Sequence, residues 1–217
     1  MKESKHRFPF FVAYLIIFHT AWLGYVLWVY PRVRTLGETT LRYALVNITV
    51  RLILWVLPVF LYLRYIDRVN PFEYLKLRQN WRQGIVVGVL VSTVIFIGNF
   101  LRSGMPHPSI QLFTWNSLLS TSLLIGFIEE VPYRGFILQK IEQRCGFWAG
   151  NLLSSLLFLG IHLPGWISLH LLKPENAIFV FLFGVVMAIV VKVGKSLWGT
   201  IIAHSMNDFI SSVIYRF

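Results

Sequence analysis

Acidic residues are scarce in this chain. Of its 217 residues only nine are Asp or Glu, against 20 Lys or Arg. Cysteine is scarcer still: Cys145 stands alone, which excludes an intrachain disulfide and argues against redox chemistry. Charged residues of both signs make up 13% of the chain, leaving little room for a separate soluble domain. Internal repeats, low-complexity runs and linkers are absent as well. A net charge of +11 is a nucleic-acid binder's balance, but here the basic residues sit between apolar runs and form no patch. They are expected to anchor a membrane surface, with no nucleic acid as partner.

What the chain has in quantity is apolar surface. It is 56% hydrophobic, and its mean hydropathy is positive. A helix crossing a bilayer needs about 20 largely apolar residues. Seven stretches qualify: 8–30, 43–66, 85–101, 117–139, 147–171, 177–193 and 197–215. The expected fold is all-α, a single integral membrane domain over residues 1–217 with about seven transmembrane helices. The first run follows a basic start, as a signal peptide does. It is too long for a typical signal core and no small-x-small site ends it, so a retained span is expected.

Basic residues also give an orientation. Lys2, Lys5 and Arg7 precede the first span, and Arg64, Arg68, Lys76, Arg78 and Arg82 lie between the second and third. Lys140 and Arg144 follow the fourth, and Lys192 and Lys195 the sixth. The alternate connections are poorer, with Arg32 and Arg34 beside Glu38, then Arg102, then Lys173 beside Glu175. This predicts a multi-pass protein of the cell membrane with a cytoplasmic N-terminus and a site reached from the cytosol. Arg51 falls inside the second span, where it either snorkels outward or faces a polar cavity.

Against that background, three of the nine acids stand inside apolar runs: Glu129, Glu130 and Asp208. A charge so placed costs several kcal/mol unless a partner offsets it, and it marks a functional site by default. Glu130 and Arg134 are four apart on one helix face in the favourable order, so a structural ion pair is expected there. Glu129 points about 100° away and has no local partner. A desolvated carboxylate of that kind suits a general base. Pro132 cannot donate to the carbonyl of Ile128, so the helix should loosen beside the glutamates.

The fifth span carries Gly160, expected to allow close helix approach, then His162 and Pro164, expected to loosen the backbone around that histidine. A lone histidine in an apolar span is more often a satisfied core residue than a catalytic one. The seventh carries His204, Asn207 and Asp208, with His204 and Asp208 four apart so that the carboxylate can orient the imidazole. At about 1.5 Å per residue, Glu129 lies roughly 16 Å along its helix from Lys140, His204 roughly 13 Å from Lys195, and His162 roughly 21 Å from Phe147. All three are therefore near mid-membrane, and one shared cavity would give each polar company.

Glu129-Glu130-x-x-x-Arg134, Phe158-x-x-x-His162 and His204-x-x-x-Asp208 resemble, in order and spacing, the three motifs of the CAAX-protease and bacteriocin-processing family, the type II CAAX prenyl endopeptidase group. The resemblance covers the half from about Ser117 onward. It implies intramembrane peptide-bond hydrolysis without a cofactor, on a membrane-associated protein or peptide. Carried over by position, Glu129 with His162 would activate a water, and His204 with Asp208 would stabilise the oxyanion. Glu130 and Arg134 would shape the site. The family pattern accepts Asn or Asp at the last position, and ionised Asp cannot donate a hydrogen bond. Asp208 therefore either completes the oxyanion site or holds His204 as donor, with Asn207 as its substitute.

Other readings compete. Two histidines and a carboxylate can hold catalytic zinc, but no His-Glu-x-x-His is present and the donors come from three helices. A non-catalytic membrane scaffold or bacteriocin self-immunity protein would retain the motifs structurally. A transporter is disfavoured, because no span is broken by a glycine-rich unwound stretch. The short chain resembles prokaryotic members, for which processed peptides, signal-peptide remnants or membrane regulators are likelier substrates than prenylated proteins.

Overall fold

Backbone N–H and C=O groups have no water to bond in a bilayer, so long apolar stretches must satisfy them internally, as helices. The computed structural model describes residues 7–106, 108 and 110–215; Lys2 and Lys5 of the first basic cluster lie outside them. Among the described residues, five stretches are long and apolar enough to cross a membrane: Phe8–Arg34, Leu41–Ile66, Trp81–Ser103, Asn116–Ser168 and Pro174–Gly194.

The fourth of these is two helices in succession. At Gly146 the backbone takes φ +80° and ψ 168°, a left-handed excursion that glycine tolerates without a Cβ penalty. A Cβ on Gly150 would lie 3.0 Å from the Glu142 nitrogen, as expected where a chain doubles back on itself. Counting 116–145 and 147–168 separately and adding the closing helix, 198–214, gives seven, named α1 to α7 in chain order. The protein is a polytopic all-α bundle, as expected. The last helix is the shortest and is not among those five stretches.

Proline accounts for three of the wider, π-helical turns, while Tyr62–Ile66, Asn116–Leu123 and Ile210–Ile214 widen without one. Pro31 and Pro58 each follow a wider, π-helical turn, Tyr25–Val29 and Leu52–Val56, and Pro132 sits inside a third, Val131–Ile137. Each ring removes an N–H from the regular ladder, and the helix widens there. The loosening expected beside Glu129 and Glu130 is thus present. That expected at Pro164 is not, because α5 runs through it to Ser168.

Close helix contact comes from other glycines than the sequence indicated. A Cβ on Gly160 would meet nothing within 4 Å. One on Gly126 of α4 would lie 2.3 Å from the Ile201 carbonyl oxygen of α7, and one on Gly88 of α3 2.9 Å from the Gly199 carbonyl oxygen. These contacts clamp α7 between α3 and α4.

The end of the bundle that carries the basic connections is capped by the chain between α2 and α3. Asn70 caps a single turn, Pro71–Tyr74, by accepting from Phe72 N–H at 3.0 Å. Leu75 and Leu77 then turn inward and are buried. The Lys76 carbonyl accepts from Leu197 N–H at 3.2 Å, and the Leu77 carbonyl from the Trp198 indole at 2.8 Å. Asp67, also buried, pairs with Lys140 at 2.7 Å.

Candidate active site

The polar residues singled out in the three motifs converge. Glu129, His162, His204, Asn207 and Asp208 all line one cavity of about 420 Å³, bounded by α1, α2, α4, α5, α6 and α7. Glu130 and Arg134 lie fully buried beneath it.

The Glu130–Arg134 pair forms as the spacing predicts, with Arg134 Nη1 3.3 Å from Glu130 Oε1. The guanidinium also sits over the Phe158 ring, 4.2 Å from its centroid, a cation–π contact in a dry setting. Gly184 of α6 leaves the room this needs, because a Cβ there would lie 3.1 Å from Arg134 Nη2.

His204 differs from expectation. Its Nδ1 donates to Glu130 Oε1 at 2.7 Å, whereas its Nε2 is 3.8 Å from Asp208 Oδ2 and 3.7 Å from Glu129 Oε2. Glu130, and not Asp208, therefore holds the imidazole in place. No local spacing signals this bond, which joins residues 74 apart. The ring is further walled by Phe183 and Phe158, with centroids at 5.0 and 6.0 Å. Asn207 donates to Asp208 Oδ1 at 3.0 Å, so the two adjacent side chains act as one unit on the cavity wall.

His162 Nδ1 is 2.9 Å from the Phe158 carbonyl oxygen. A carbonyl only accepts, so Nδ1 carries a proton, and in the neutral ring Nε2 then keeps its lone pair. The helix thus presents His162 to the cavity as a hydrogen-bond acceptor.

Arg51 faces the cavity, which settles the choice left by the sequence. Its guanidinium lies 5.8 Å from the Trp22 ring, and its buried Nε has no hydrogen-bond partner. Sequence reasoning also missed a support behind the glutamates. His19 of α1 donates from Nδ1 to the Leu15 carbonyl, and its Nε2 lies 3.3 Å from the Tyr133 hydroxyl. Among the described residues, no group of three or more His, Cys, Asp or Glu is disposed to hold a metal ion.

No curated protein and no solved structure matches the chain. Residues 111–210 match the family described as "Type II CAAX prenyl endopeptidase Rce1-like". The match runs from just before α4 into α7 and contains all three motifs. Over these residues, just under half of its length, the chain is similar to the type II CAAX prenyl endopeptidase family.

Proposed function

We propose that this single-domain membrane protein is an intramembrane endopeptidase, hydrolysing a peptide bond of a membrane-associated protein or peptide. The observation that carries the reading is the shared cavity: five polar side chains from α4, α5 and α7 meet there inside an otherwise apolar bundle. Independent structural histidines and carboxylates have no reason to line the same space.

The chemistry follows from which groups accept and which donate. Glu129 and the Nε2 of His162 are acceptors and together can position a water and take its proton. The resulting hydroxide adds to the substrate's carbonyl carbon, and charge develops on the carbonyl oxygen. His204, fixed by Glu130 on Nδ1, donates from Nε2 as the imidazolium that the Glu130 carboxylate favours, and Asn207 supplies amide N–H groups beside it. The tetrahedral species collapses with cleavage of the C–N bond. Glu129 returns the proton to the leaving amine, so the products are a new carboxyl terminus and a new amino terminus.

In this scheme Asp208 serves as the group that Asn207 donates to, and it faces His204 Nε2 across 3.8 Å. Glu130 and Arg134 do not meet substrate. They position His204 and neutralise each other below the cavity floor.

Comparative proteomics of membrane-associated peptides, wild type against Glu129→Ala, tests the reading. A substrate should accumulate uncut in the variant, with its cleaved fragments missing. Identical peptide inventories, with both proteins present at equal level, would favour the non-catalytic scaffold.

A further inference from the structure

The cavity is closed at one end and open at the other. Below Glu129, towards the basic connections, Ile128, Glu130, Tyr133 and Arg134 are fully buried. Beyond them, Leu75 and Leu197 form a second fully buried layer under the cap between α2 and α3. At the other end the walls include Tyr30 near the end of α1, Leu171 just after α5 and Phe179 in the first turns of α6. Leu171 and Phe179 are 50% and 56% exposed, so the rim is accessible and apolar.

The two ends also differ in charge. The sealed end carries Arg64, Arg68, Lys76, Arg78 and Arg82, with Lys140, Arg144, Lys192 and Lys195 on its other connections. The open end carries Arg32, Arg34, Arg42, Arg102 and Lys173, and there Arg34 is paired with Glu38. Short connections rich in Lys and Arg stay on the cytoplasmic side. The sealed end is then cytoplasmic, and the open rim faces away from the cytosol.

We propose that substrate reaches Glu129 from the non-cytoplasmic face, past the rim made by Leu171 and Phe179. Resting on the endopeptidase reading, this names the substrate class: an unfolded apolar segment of an exported protein or peptide at the outer leaflet. It reverses the cytosolic access expected from sequence. A cavity of about 420 Å³ falls in the range of ligand pockets. It accepts a short stretch of chain and is far too small for a spanning helix. The apolar rim favours apolar side chains next to the scissile bond.

Cys145 makes the test direct. It is exposed, it is the chain's one cysteine, and it lies at the sealed end beside Arg144. Intact cells are treated with a membrane-impermeant maleimide, using the wild-type protein and, in a Cys145→Ser background, Leu171→Cys and Phe179→Cys. The expected result is that the two rim cysteines react in intact cells, while Cys145 reacts only after permeabilisation. Reaction of Cys145 in intact cells, with both rim cysteines protected until permeabilisation, would overturn the proposal.

A second arm supplies quenched apolar peptides to sealed vesicles of either orientation. Cleavage is expected only when peptide meets the face labelled through Leu171→Cys. Cleavage only from the Cys145 face would overturn the proposal. The labelling needs no hydrolysis, so it decides access even if no peptide is cut, a result that counts against the endopeptidase reading alone.

Discussion

Nδ1 of His204 lies 2.7 Å from Oε1 of Glu130, and that same oxygen is 3.3 Å from Nη1 of Arg134. One carboxylate thus joins the ion pair in α4 to the imidazole in α7. Glu130 has two duties, charge balance for Arg134 and orientation of His204.

Glu130→Gln is therefore expected to damage both stability and rate. Arg134 would be left buried without its counter-charge, a loss of roughly 3–5 kcal/mol for a broken buried pair. His204 would keep a weaker, neutral acceptor, so some cleavage should survive in the fraction that folds. Thermal melting in detergent and peptide turnover in the same preparation check this. A variant as stable as wild type would remove the ion pair from the account.

Gly126 should not tolerate a methyl group. In Gly126→Ala the new Cβ would fall 2.3 Å from the Ile201 carbonyl oxygen and 2.6 Å from Ser205 Oγ, forcing α4 and α7 apart. Glu129 and His204 sit on those two helices, so turnover should fall by at least tenfold, together with the melting temperature. Gly160→Ala is the control. It has open space around it, and alanine is a better helix former by about 1 kcal/mol, so melting should be unchanged or higher.

These glycines mark where the sequence stopped being legible. The three polar constellations and the Glu130–Arg134 pair followed from local spacing, because periodicity along one helix is a property of the sequence itself; the helix number followed from the apolar runs, and the shared cavity from the common depth of the polar groups. Which glycine meets a neighbouring helix is not. Gly160 and Gly126 look alike in sequence and differ only in what the fold brings against them. The Glu130–His204 bond and the direction of Arg51 failed to show for the same reason, since each depends on how separate helices rotate against one another. The end at which the cavity opens depends on the Leu75–Leu77 cap, which no motif announces.

Arg51→Leu is expected to remain folded, with a melting temperature equal to or above that of wild type. The arginine's Nε is buried without a hydrogen-bond partner, so its removal relieves an unsatisfied group. The cavity wall would lose its cation, and KM for peptide should rise several-fold with little change in kcat. A fall in kcat at constant KM would assign Arg51 to the chemistry rather than to binding.

Activity should persist in chelator, and the purified protein should contain no stoichiometric zinc by elemental analysis. The arrangement of donors motivates this: among the described residues no group of three or more His, Cys, Asp or Glu is disposed to hold a metal ion. Loss of activity on metal removal, restored by zinc, would replace the proposed water activation with metal activation.

The central claim is that Glu129 takes the proton from an attacking water. Glu129→Gln preserves shape and hydrogen bonding while removing the acceptor, and the 3.7 Å contact of Glu129 with His204 Nε2 is much looser than the 2.7 Å bond His204 makes to Glu130. The measurement is peptide cleavage in ¹⁸O-labelled water, followed by mass spectrometry, with wild type and Glu129→Gln purified in the same detergent. Wild type should generate new carboxyl termini carrying one ¹⁸O. Glu129→Gln should melt at nearly the same temperature and cut at least 10²–10⁴-fold more slowly, the range for loss of one acid–base group. Cleavage by Glu129→Gln at the wild-type rate, with the same label in its products, would contradict the account.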